Sequence, residues 1–115
     1  MLGIYALMAV AAGASPAHSY MVQGVGTRSC GTWTNEHRQQ DFTSLAEAKM
    51  SDAWVGGFIT AYNYVGPDKS GDIGAGTDFP GMIAWIGNYC ASNPLDTLGD
   101  AAEALVNQLY RRKSH

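Results

Sequence analysis

Apolar side chains return along this chain at the intervals of a helix, not of a strand. The cleanest stretch is Leu98, Ala101, Ala102, Leu105, Val106 and Leu109, whose spacing puts all six on one face of an amphipathic helix. That helix is expected to open at Asn93 as a cap, with Pro94 in its first turn and Asp96 three residues on. Ahead of it, Met82, Ile83, Ile86, Tyr89 and Cys90 make the inner face of another helix starting at Asp78 or Phe79, with Pro80 where a missing amide is tolerated and Trp85 to one side. The longest helix is predicted from Ser44, at capping-box spacing from Glu47, to Val65. Trp54, Phe58, Ala61, Tyr62 and Val65 recur along it, and Gly56 and Gly57 leave a notch for close approach of another helix. A short first helix, capped by Thr27 and running to about Gln39, carries Cys30, Trp33 and His37 on one face.

No alternating pattern of comparable quality occurs, so the fold class is all-α: a small four-helix domain. Residues 66–77, rich in Gly with Pro67, Asp68 and Asp72, form the one clear loop. Residues 20–27 have no helical period and read as an extended or poorly ordered leader, so the helical domain spans 28–115.

The first 19 residues change the picture of where the protein works. Leu2 to Ala14 is apolar and uncharged and runs into Ser15-Pro16-Ala17-His18-Ser19, the small-residue pattern of a signal peptidase site, with cleavage expected after Ala17 or Ser19. The stretch falls short of the roughly 20 apolar residues that span a bilayer, so no stable membrane span is expected after cleavage. The location expected is the periplasm or the exterior. The two cysteines, Cys30 and Cys90, then read as a structural disulfide tying the first helix to the third.

The formal net charge is −3, which disfavours nucleic acid, since binding phosphates needs a concentrated basic face. The one basic run, Arg111-Arg112-Lys113, sits where cations complement a helix C-terminus.

Chemistry is sparse. His37 and His115 lack metal-ligand spacing from other ligand types, so no metal and no cofactor is expected. His37 beside Glu36 is a weak candidate base with no nucleophile indicated. Asp68, Asp72 and Asp78 do not have the spacing of an EF-hand loop, and the glycines of 71–76 lack the strand and the Lys of a phosphate cradle. No catalytic residue is assigned. Tyr64 and Trp85 fall outside the best inner faces, and beside the acidic loop they form, with Asp68, Asp72 and Asp78, a candidate protein-binding patch.

Cys30, Trp33, Trp54-Val55-Gly56-Gly57-Phe58, Tyr62-Asn63, Gly76-Thr77-Asp78, Trp85-Ile86, Tyr89-Cys90, Asn93-Pro94 and Leu98 together resemble a group of small exported proteobacterial helical proteins. At greater distance the pattern resembles periplasmic acid-stress chaperones of the HdeA type and the immunity proteins that neutralise type VI secretion amidase effectors. The resemblance covers about residues 29–110 and is carried by structural motifs, so it speaks to fold more than to function. It implies a protein partner. Immunity proteins of that class bind their effector through loops of a helical homodimer, which makes 66–78 the corresponding loop here. The chaperones lose order at low pH, although the lysine-rich ends typical of them are missing. The expected function is an exported, non-enzymatic interaction protein that binds and inhibits or protects another protein. An HdeA-like chaperone is the alternative, and a small envelope hydrolase a third.

Overall fold

The computed structural model describes residues 20–113; the signal peptide expected over 1–19 lies outside them, as does His115. Four α-helices follow in order: α1 Cys30–Arg38, α2 Phe42–Val65, α3 Phe79–Ser92 and α4 Leu98–Lys113. Helix α1 packs on α2 and α3, α3 on α4, and α2 on α4. No helix among the described residues is long and apolar enough to cross a membrane.

The core gathers Trp33, Val55, Ile59, Ile73, Ile86, Leu98, Ala101, Leu105, Val106 and Leu109 around the Cys30–Cys90 disulfide. The bridge joins α1 to α3 with Cα atoms 4.7 Å apart, as the cysteine count implied. Closing a loop across 60 residues removes denatured-state entropy worth about 4 kcal/mol. Such a crosslink fits an oxidising compartment.

Three helix starts differ from their expected caps. Helix α1 begins after Ser29, whose Oγ accepts from the Thr32 amide, while Thr27 closes a preceding 3-10 turn by donating to Gly24 O. Helix α2 begins two residues earlier than Ser44, because Asp41 accepts from the Ser44 amide; Glu47 turns to Arg28 instead. Helix α4 starts at Leu98, not at Pro94. Thr97 and Asp100 cap it reciprocally, each side chain accepting from the other's amide. Asn93 closes α3, donating through Nδ2 to Tyr89 O. Helix α3 opens as expected, with Asp78 accepting from the Gly81 amide.

Residues 93–97 cover the start of α1. The amides of Cys30 and Gly31, which have no partner inside their helix, donate to Asp96 O and Pro94 O at 2.7 and 3.0 Å, and Leu98 donates to Arg28 O. Tyr89 adds its hydroxyl, which donates to Asp96 Oδ2. That bond pushes the Tyr89 phenol up to about 12, with burial helping.

The leader 20–27 is not a loose extended segment. Its second half, Gly24–Thr27, is the 3-10 turn, laid flat on the Trp54 ring. A Cβ at Gly26 would stand 2.2 Å from Trp54 Cζ2, so only glycine lets the strap lie there. Trp54 Nε1 donates to Gln23 O across the same contact.

The inner face of α2 is also rotated from the one its large residues suggested. Ala48, Ser51, Val55 and Ile59 are buried. Trp54, Phe58 and Tyr62 flank the core half-buried, whereas Ala61 is exposed and Val65 is 74% exposed. The glycine notch is half used: Gly56 receives the Phe79 ring, and Gly57 faces open space.

Candidate protein-binding surface

Residues 66–78 join α2 to α3 without regular structure, yet their backbone is fastened throughout. Ile73 is 1% exposed and drives into the core as a plug, and its amide donates to Asn63 Oδ1 at 2.8 Å. Two aspartates make local turns: Asp68 accepts from the Ser70 amide and Asp72 from the Gly74 amide. Gly71 and Gly76 supply the positive φ angles at which the chain reverses.

The last described residue of α4 completes the fastening. Lys113 Nζ donates to Ser70 Oγ at 2.8 Å and to Asp72 O at 3.1 Å and forms an ion pair with Asp68 Oδ2 at 2.8 Å, so one ammonium holds three points of the loop. Lys113 and the Ser70 amide hold the Asp68 carboxyl down at about 2. The basic run at the end of α4 therefore has a specific partner besides its helix dipole.

A shallow cleft lies on each side of this junction. One, of about 260 Å³, is lined by Pro67, Asp68, Lys69, Ile73, Tyr110 and Lys113. The other, of about 220 Å³, runs between α3 and α4, with Met82, Trp85, Leu105 and Leu109 as its apolar part and Thr77, Gln108 and Arg112 at its polar part. Trp85 is half-buried against the core and stacks on Tyr89 with centroids 5.7 Å apart.

No protein-family model, curated protein or solved structure matches this chain.

Of the five patch residues expected from sequence, Asp68 and Asp72 meet at Lys113, Asp78 serves as the α3 cap next to Thr77, and Trp85 walls the second cleft. Tyr64 stands apart: it is 88% exposed on the outer side of α2 and lines neither cleft.

Two polar clusters escaped the sequence reading, both across α1 and α2. Arg28 Nη1 donates to Glu36 Oε2 at 2.8 Å and to Glu47 Oε2 at 2.7 Å, while Ser51 Oγ donates to Glu36 Oε1. Nearby, His37 stacks on Trp33 with its two ring nitrogens 2.8 Å from Trp33 O and Asp52 Oδ1. No local spacing in the sequence relates the members of either cluster, which are Arg28, Glu36, Glu47 and Ser51 in one and His37 and Asp52 in the other. Chemically, both nitrogens of His37 are taken by oxygen acceptors and Ser51 is turned to Glu36, so this histidine and this serine are not arranged as base and nucleophile. Among the described residues no group of three or more His, Cys, Asp or Glu is placed to hold a metal ion.

Proposed function

We propose that this chain is an exported, non-enzymatic interaction protein that binds another protein through loop 66–78 and the α3–α4 cleft beside it, inhibiting or protecting that partner. The observation that carries the reading is the fastening of the loop by Ile73, Asn63 and Lys113. A segment so held offers its exposed atoms in one arrangement, so its ordering does not subtract from binding energy. The apolar cleft with Trp85 inside it and Arg112 and Gln108 beside it has the composition of an interface centre with a polar edge. Export is supported by the disulfide and by the signal-like composition of residues 1–19. The engaged state of His37 supports the non-enzymatic part. The sequence resemblance to amidase immunity proteins favours inhibition over protection.

The test is capture from a periplasmic fraction with the intact protein and with Ala75→Arg, which places a bulky cation at an exposed position of the loop. One dominant stoichiometric partner, retained by the native chain and lost with Ala75→Arg, is expected. Equal capture by both proteins would overturn the reading.

A second reading, an acid-stress chaperone, draws on the carboxylate anchors Glu36–Arg28 and Asp68–Lys113, which protonation disconnects. It expects apolar-dye binding to rise steeply near pH 2 to 3, where carboxylates are neutralised; a flat response would end it.

A further inference from the structure

The cleft between α3 and α4 is apolar at its floor and holds hydrogen-bond donors at its rim. Met82, Leu105 and Leu109 are buried beneath it, and the half-buried Trp85 forms a wall. Its volume, about 220 Å³, falls below the roughly 300–1,000 Å³ of a small-molecule site. It has room for one large apolar side chain of a macromolecule.

The donors are placed by two glycines. Arg112 Nη2 reaches across to Gly76, 3.7 Å from where a Cβ on that residue would stand, and Thr77 Oγ1 lies 2.9 Å from the same point on Gly81. Among the described residues, neither the Arg112 guanidinium nor the Thr77 hydroxyl has a hydrogen-bond or ion-pair partner. This sets Arg112 apart from its neighbours in the basic run, since Arg111 donates to Gln108 Oε1 at 2.9 Å and Lys113 is held by the loop. With its oxygen taken, Gln108 has its amide N–H donors left for a ligand. Asp78, the carboxylate next to Thr77 in sequence, is turned to the first turn of α3, where its Oδ1 accepts from the Gly81 amide.

A guanidinium, an amide and a hydroxyl beside an apolar floor are complementary to a carboxylate beside an apolar side chain. Arginine can give a carboxylate two parallel charge-assisted bonds, and tryptophan and arginine are the residues most enriched at the energetic centres of interfaces. A chain-terminal carboxylate is captured by backbone amides, and the Gly81 amide at this rim is already bound to Asp78. The donors that remain belong to side chains and suit an Asp or Glu side chain.

We propose that the α3–α4 cleft recognises an acidic-apolar pair on the partner protein: one large apolar side chain seated on Met82, Leu105 and Leu109 against Trp85, and an Asp or Glu carboxylate on Arg112, with Gln108 and Thr77 as further donors. This rests on the reading of loop 66–78 and the cleft as a protein-binding surface, and adds the chemistry of what the cleft takes.

Two-dimensional NMR of the disulfide-bonded protein tests it with acetylated and amidated peptides that carry one Phe and one Glu, adjacent or three or four residues apart. At millimolar concentration at least one spacing is expected to shift the Trp85 indole and Arg112 side-chain resonances. The same peptide with Gln in place of Glu, or Ala in place of Phe, is expected to bind at least about fivefold more weakly. Arg112→Gln should erase the preference for Glu over Gln, while Arg38→Gln, which removes the same charge at the exposed end of α1, should keep it. No shift at the cleft with any peptide, equal binding of the Glu and Gln peptides, or tighter binding of acetylphenylalanine with its free terminal carboxylate would each overturn the proposal. An absence of peptide binding together with loss of partner capture by Ala75→Arg would leave the interface in place and remove only the acidic-apolar assignment.

Discussion

Arg28 Nη1 lies 2.8 Å from Glu36 Oε2, and Glu36 is the one acidic residue among the described residues that is buried. The pair ties the segment entering α1 to the last turns of that helix, and Glu47 and Ser51 bring α2 into the same network. Removing the cation leaves a carboxylate in the interior with only a hydroxyl to face. Arg28→Ala is therefore expected to cost about 2–4 kcal/mol, toward the low side for a broken buried pair because the arginine is one-third exposed. Glu36→Gln keeps one carbonyl acceptor for Arg28 and turns an amide N–H toward Ser51 Oγ, which can accept it, and should cost about 1–2 kcal/mol. Urea unfolding of the two variants checks the order; an Arg28→Ala protein as stable as the native one contradicts the role given to the pair.

Pairing Cys30 with Cys90 should account for a large share of the stability. Replacing both by alanine is expected to lower the unfolding free energy by about 4 kcal/mol, against the roughly 5–15 kcal/mol typical of a domain. The check is the shift in denaturant midpoint between oxidised protein and the double variant. Coincident curves would show the crosslink to be idle.

The acid limb of the stability curve should carry the mark of Lys113. Asp68 has a folded value of about 2 against 3.8 for the free group. A lowered value means that its contribution is complete above the unfolded value and disappears as pH falls through the folded one. The loop contact is thus expected to persist at pH 4 and to be lost on approach to pH 2. Carbon-13 NMR titration of the Asp68 carboxyl measures this directly, and Lys113→Ala should return it toward 3.8; an ordinary titration in the native protein would refute the contact.

The alkaline limb belongs to Tyr89. Its phenol is raised to about 12 by the bond to Asp96, so the stabilisation is complete below 10, the free value, and fades as pH climbs through the folded value. Tyr89→Phe should remove that dependence, visible as a flatter melting-temperature profile above pH 10. An unchanged profile would mean that the hydroxyl bond contributes nothing.

How much of this was legible in the sequence depended on whether one residue or several competed for a role. Helix α4 was read correctly along its length because Leu98 to Leu109 repeats without interruption, and all six of its stripe residues are buried. Its start was misplaced because Asn93-Pro94 carries the same local signal as Thr97-x-x-Asp100, and only the packing of 93–97 over α1 decides between them. The face of α2 was misjudged because Trp54 and Phe58 outweigh Val55 and Ser51 in any count of apolar bulk. Trp54 instead supports the strap at Gly26, and Ser51 is admitted to the interior by its bond to Glu36. The Arg28–Glu36 and His37–Asp52 contacts join residues that no local spacing rule relates. Within the patch, Asp68 and Asp72 were picked for their charge, whereas what unites them is a lysine more than 40 positions away.

Ile73 links the stability of the loop to its use. Ile73→Ala should cost about 2–4 kcal/mol as a buried large-to-small change, and amide exchange in 66–78 should accelerate more than in α4. If exchange in the loop stays as slow as before, the plug is not what orders it.

The affinity of the captured partner for three proteins, measured by isothermal titration calorimetry, tests the central claim most directly: the native chain, Ala75→Arg in the loop, and Arg38→Ala at the exposed end of α1. A binding surface at 66–78 predicts that Ala75→Arg weakens binding at least about tenfold, or 1.4 kcal/mol, while Arg38→Ala leaves it unchanged. Equal affinity for all three would contradict it.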